Sequence, residues 1–149
     1  MTLNELNNTL SETVSSGKIG TPVSLRIHLQ LSDSQVDLVE ALAALMRVSL
    51  PLFQTNARRL MARRDSGQRQ LTALFSLAGG QTVLVTVGRG AVDNGSLHLL
   101  LIGNHGTVRL EGSEQFDEES LVFPDGPNPW KSPIEESLSR QSSVELQCH

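Results

Sequence analysis

A chain of 149 residues with 38% hydrophobic residues is long enough for one core of ordinary size. Its formal charge of -4 and pI near 5.5 remove any general attraction to nucleic acid or to anionic membrane. Aromatic residues are only 3%, too few for a base-stacking surface, and the lone Cys148 excludes an internal disulfide framework or a thiolate zinc site.

No run approaches the roughly 18 apolar residues of a membrane span. The first 16 residues lack the basic and then apolar regions of a signal peptide. The expectation is a cytoplasmic protein forming a single domain over residues 1–149, with its core in 10–112 and a closing part in 113–149.

In chain order, Leu3, Leu6, Leu10 and Val14 recur at spacings of three and four and predict a helix from Asn4 to Ser16, ended by Gly17 and Gly20. Val23 to Leu31 alternates, with Val23, Leu25, Ile27, Leu29 and Leu31 on one face and Ser24, Arg26, His28 and Gln30 on the other. That polar face, with Arg26 and His28, can line a ligand cleft or simply meet solvent.

Ser32 and Gln35 have capping-box spacing, and the stripe Leu38, Val39, Leu42, Leu45, Met46 predicts a core-facing helix from Ser34 to Arg47 that ends before Pro51. Arg58, Arg59, Arg63, Arg64 and Arg69 then form a basic cluster in an acidic chain. Such a cluster can hold an anion or face a partner, and it can also protect an exposed strand from unwanted pairing. These arginines leave no readable period between Gln54 and Asp65.

Leu71 to Leu77 and Val83 to Val87 flank Ala78-Gly79-Gly80 and predict a hairpin. A two-residue loop would mix polar and apolar faces. A three-residue loop, with Gly80 in the left-handed region, sets Phe75 opposite Val83, Ala73 opposite Val85 and Leu71 opposite Val87, so one face is apolar. The other face then carries Thr72, Leu74, Ser76, Thr82, Leu84 and Thr86.

Leu97 to Ile102 reads as the next strand, with Leu100 and Ile102 on the side away from Leu97, Leu99 and Leu101. Gly103-Asn104-His105-Gly106 turns it into a short strand from Thr107 to Glu111. His98 reads as a sheet histidine. His105, in the turn, is either a ligand contact or an exposed turn residue.

Four prolines between Pro124 and Pro133 mark an extended path anchored by Trp130. Ser132 and Glu135 around Pro133 predict a capped helix ending at Arg140.

Three of these stretches, in this order, resemble the C-terminal domain of the glucose-fructose oxidoreductase, inositol dehydrogenase and rhizopine-catabolism (Gfo/Idh/MocA) family. LSETVSSGKIGTPVSLR is similar to that domain's "SGxIG" passage from helix to first strand. TALFSLAGGQTVLVTV and LHLLLIGNHGTVRLEG are similar to its "LxFxNGxxGxLxV" and "LxIxGxxGxLxLD" hairpins, and IEESLSRQSSVEL to its closing helix and strand.

The resemblance implies an α+β fold: a mainly antiparallel open sheet with helices on one face and the other face available for oligomerisation. It implies a substrate-cleft and oligomerisation domain of an NAD(P)-dependent oxidoreductase of sugar or cyclitol type, with a small polyol or sugar as ligand. A homodimer through Thr72, Leu74, Leu84, Thr86, Leu100 and Ile102 is the expected assembly.

The chain lacks the family's Gly-rich phosphate turn, its Glu-Lys-Pro lysine segment and its Gly/Asp/His/Asp helix start. No catalytic, cofactor-binding or metal residue carries over. NAD or NADP is expected only through a further domain, and the isolated chain is expected to be inactive. The alternative is a stand-alone binding or assembly module with no redox role. No HExxH or G-x-S-x-G arrangement supports other chemistry.

Overall fold

The computed structural model describes residues 1–32, 36–90, 95–111, 115–121 and 128–146. Its first helix, α1 (Leu3–Ser15), begins with a capping box. Glu5 N–H donates to the Thr2 hydroxyl at 3.1 Å, and Thr2 N–H donates to the Glu5 carboxylate at 3.2 Å. The pair satisfies backbone donors that the first turn leaves without partners. Leu3, Leu6 and Leu10 are buried, as their spacing predicts.

Strand β1 (Pro22–Leu31) keeps its alternation from Leu25 onward. Val23 departs from it and is 44% exposed, because the register shifts between Pro22 and Ser24 and turns Pro22 inward in its place.

Helix α2 (Leu38–Ser49) starts later than its sequence predicts. The cap is Asp37, whose carboxylate accepts from Val39 N–H at 3.1 Å. Ser32 does not cap this helix, because its hydroxyl and backbone N–H both donate to the Glu118 carboxylate, the latter at 2.7 Å. Ser34 and Gln35 lie outside the described residues. All of α2 except Glu40 and Arg47 is buried. Such a helix, apolar nearly all round, belongs between layers. Its one buried hydroxyl, on Ser49, donates back to Leu45 O at 2.7 Å. Pro51 then opens a 3-10 turn, Leu50–Phe53, which needs no N–H from it.

The arginine-rich stretch is strand β2 (Ala57–Arg64). Strands β3 (Gln70–Leu77) and β4 (Thr82–Arg89) form the hairpin in the expected register, with Phe75 opposite Val83, Leu74 opposite Leu84 and Thr72 opposite Thr86. Gly80 has φ +89°, the left-handed conformation that the three-residue loop requires. Strands β5 (Gly95–Gly103) and β6 (Thr107–Leu110) form the next hairpin, and a two-residue β7 (Gln115–Phe116) adds to the start of β5.

The chain closes with α3 (Lys131–Arg140) and a two-residue β8 (Val144–Glu145). Ser132 and Glu135 do not form the expected cap. Helix α3 begins at Lys131 without a side-chain cap, and Pro133 falls within its first turn. Trp130 does anchor the segment, its ring meeting Phe75 edge-on at 5.8 Å.

The strands lie in the order β6-β5-β1-β4-β3-β2-β8, with β7 beside β5. Among the described residues only β1 and β4 run parallel, and every other pair is antiparallel. The fold is therefore α+β, with a mostly antiparallel open sheet. Helix α2 covers β3 and β4, α3 covers β2, and α1 packs against α2, all on one side of the sheet. Leu25, Ile27, Leu29, Phe75, Val83 and Val85 point into this core and are at most 2% exposed. Burying each aliphatic side chain of this size contributes about 1.5–3 kcal/mol.

Two of the motifs that carry the family resemblance touch each other. The β5–β6 turn docks on residues 19–21: Asn104 N–H donates to Thr21 O at 3.0 Å, Thr21 N–H donates to the Asn104 amide oxygen at 2.8 Å, and His105 N–H donates to Ile19 O at 2.8 Å. No helix among the described residues is long and apolar enough to cross a membrane.

Candidate functional site

Among the described residues all three α-helices lie on the core side and none covers the other face of the sheet. Alternation along each strand decides what that face carries. Arg26 and His28 come from β1, Leu84 and Thr86 from β4, and His98 and Leu100 from β5. Arg26 stands opposite Leu84 on one side and Leu100 on the other, while His28 stands between Thr86 and His98. Arg109 on β6 faces Leu100.

These side chains enclose a shallow groove of about 340 Å³. Glu111 is its one carboxylate, 3.6 Å from His98 Nδ1 and 3.9 Å from an Arg109 Nη. Both separations exceed hydrogen-bond length, and all three side chains are more than half exposed.

Beyond β4 the face changes character. Thr72, Leu74 and Ser76 on β3 lie beside Thr86, Leu84 and Thr82, with the Thr72 and Thr86 hydroxyls 3.4 Å apart. Leu74 is 41% exposed, a large aliphatic side chain set among small polar ones. This is the surface expected for association; its expected members Leu100 and Ile102 lie on β5, separated from it by Ser24, Arg26 and His28 of β1.

The fold brings Arg26 and His28 together and separates His105 from them. His105 is exposed in the β5–β6 turn, with its ring against Gly20. Of the basic cluster, Arg59 and Arg63 pair opposite Ser76 and Thr72 and share the open face, while Arg58 sits at the β2 bulge and Arg64 faces the other way. All four are exposed, and Arg59 lies 3.9 Å from Glu145.

Sequence reasoning passed over Arg109 and Glu111 and treated His98 as structural. Extending the β5–β6 register by three pairs beyond the Gly103–Gly106 turn would have set Arg109 beside Leu100. The parallel β1–β4 pairing that completes the groove has no local signal.

A second cavity of about 400 Å³ lies between α3, β8 and the 3-10 turn, lined by Leu50, Trp130, Pro133, Val144 and Leu146. Its two carboxylates already face arginines, Glu136 at 3.2 Å from Arg140 and Glu145 at 3.9 Å from Arg59. Among the described residues no group of three His, Cys, Asp or Glu side chains could hold a metal ion.

The sheet, its helix layer and its two glycine-turn hairpins have a fold that recurs in solved dehydrogenase structures. Among solved structures, the chain is similar to scyllo-inositol dehydrogenase from Lactobacillus casei, determined with NAD(H) and scyllo-inositol, at 10% identity over 96% of this chain and 63% of that one, with TM-score 0.71. It is similar also to a probable dehydrogenase from Thermotoga maritima, at 14% identity, 93% and 61% coverage and TM-score 0.70. A third is myo-inositol 2-dehydrogenase from Lactobacillus plantarum, at 12% identity, 95% and 61% coverage and TM-score 0.69.

The chain thus spans about three-fifths of the length of these dehydrogenases. No family model and no curated protein matches the sequence. Gly79-Gly80 joins two antiparallel strands, whereas a pyrophosphate cradle needs a strand feeding the N-terminus of a helix.

Proposed function

We propose that this chain is the substrate-cleft and oligomerisation domain of a Gfo/Idh/MocA-like oxidoreductase acting on a sugar or cyclitol, and that it forms a homodimer through its open sheet face. The observation that supports this best is that face itself. Leu74, 41% exposed, sits beside Thr72, Leu84 and Thr86, and Leu100 and Ile102 lie on the same face beyond β1; these are side chains suited to burial against another surface.

In a two-fold dimer the same patch serves both copies, so one added charge enters the interface twice. Sedimentation at micromolar concentration tests the reading: the wild type runs as a dimer and Leu84→Lys weakens association with the fold retained. A monomeric wild type, or a fully dimeric variant, ends it.

The dinucleotide belongs, on this reading, to a domain joined to this one, and the chain alone binds neither NAD nor NADP. Saturable micromolar binding by calorimetry would refute that. A stand-alone assembly module is the second reading. It is favoured by the start of α2, where Asp37 is engaged in capping and no histidine follows in the helix.

A further inference from the structure

We infer that the groove on the open face binds a small organic anion, a carboxylate or a phosphate monoester, through Arg26 and Arg109 with His28 and His98 beside them. The inference requires neither a dinucleotide domain nor a second copy of the chain.

The first observation is local charge. The chain carries 16 acidic and 12 basic side chains, yet this groove is lined by two arginines, two histidines and a single carboxylate. Glu111 is shared between His98 and Arg109 at 3.6 and 3.9 Å, too far to saturate either. Arg26 makes no ion pair among the described residues.

The second observation is where Arg26 stands. An exposed sheet arginine gains support from an acid directly across the strand. Arg26 has leucines there on both sides, Leu84 and Leu100. Arg26 is exposed, so its guanidinium is open to an incoming anion with no acid across either neighbouring strand.

The third is shape. About 340 Å³ lies within the usual range for small-molecule sites. The planar guanidinium fork matches a carboxylate or phosphate with two parallel hydrogen bonds, and the uncharged body of the ligand would lie along Leu84 and Leu100. A neutral polyol would leave the fork unmatched.

Calorimetry on the full chain tests this with four probes: a hexose 6-phosphate, a hexonate, the neutral hexose and inorganic phosphate. Saturable binding of the phosphate ester or the hexonate is expected, at least about tenfold tighter than the neutral hexose or inorganic phosphate. Whichever organic anion binds more tightly identifies the head group.

Arg26→Gln should weaken binding by about tenfold or more. Arg140→Gln makes the same change of charge outside the groove and should leave affinity unchanged. Equal affinity for neutral and anionic hexose overturns the inference, as do equal losses in the two variants, inorganic phosphate binding as well as either organic anion, or no anion binding up to about 10 mM. The groove shares Leu84, Thr86 and Leu100 with the patch proposed for the dimer, so a dimer that buries them competes with the anion for one surface. With association read by sedimentation, a monomer that binds the anion supports this site and ends the dimer, and a dimer that ignores the anion overturns this inference.

Discussion

Ser137 on α3 and Ala62 on β2 share a hydrogen bond that finishes the sheet where its last strand stops. β8 pairs with β2 only at Arg59 and Leu60. Two residues further along, Ala62 N–H donates to the Ser137 hydroxyl at 2.9 Å, and that hydroxyl donates to Ser142 O at 2.7 Å. Ser137 is fully buried, so no water can replace it. One helix side chain thus supplies what a longer β8 would have supplied. Ser137→Ala should leave a buried donor and acceptor unpaired and cost about 1–3 kcal/mol. Urea unfolding followed by circular dichroism is the check, and a midpoint equal to wild type would mean that the region relaxes to let water in.

A second tie joins α3 to α2. Lys131 Nζ lies 2.5 Å from a Glu40 carboxylate oxygen, with both side chains about two-fifths exposed. The hydrogen bond to Glu40, and then its negative charge, raise the Lys131 pKa above the 10.5 of an ordinary lysine. The ammonium is therefore held more firmly in the folded state than in the unfolded one. Its contribution to stability is fully present below pH 10.5 and fades as pH rises through the folded value. Unfolding midpoints of wild type and Lys131→Gln should differ by a constant amount up to about pH 10 and converge above it. A gap that survives to higher pH would show that Lys131 acts through its alkyl chain.

Most of the fold was legible because local and non-local demands agreed. In the β3–β4 hairpin, the period of two and the glycines each select the same register, so the pairing of Leu74 with Leu84 could be read directly. The start of α2 failed for the opposite reason. Ser32 and Asp37 are both good caps, and what decides between them is Glu118, 86 residues beyond Ser32, whose carboxylate takes the serine. β2 was hidden because a bulge between Ala57 and Arg59 breaks its alternation just where the arginines crowd. Of the candidate site, Arg26 and His28 were readable from β1 alone. Their partners were not, since His98, Arg109 and Glu111 reach them only through the order β6-β5-β1-β4.

The groove depends on a contact at the far end of the β5–β6 hairpin. A Cβ added to Gly103 would lie 2.2 Å from Ile19 O, a backbone atom that no side-chain rotation can move aside. At Gly80 an added Cβ meets nothing within 4 Å, and the obstacle is only φ +89°. The two glycines are therefore needed for different reasons. Gly80→Ala should cost about 1–2 kcal/mol of backbone strain and leave the open face as it is. Gly103→Ala must push the hairpin off residues 19–21, at a cost of about 1–3 kcal/mol or more for the overpacked contact. It should also displace β6, which carries Arg109, with Glu111 directly after it. Amide spectra of the two variants distinguish the cases. Gly80→Ala should perturb resonances around residues 77–81 only, whereas Gly103→Ala should shift those of Ile19, Thr21, Arg109 and Glu111 together. A Gly103→Ala spectrum unchanged at Arg109 and Glu111 would show that β6 is held in place by β5 alone.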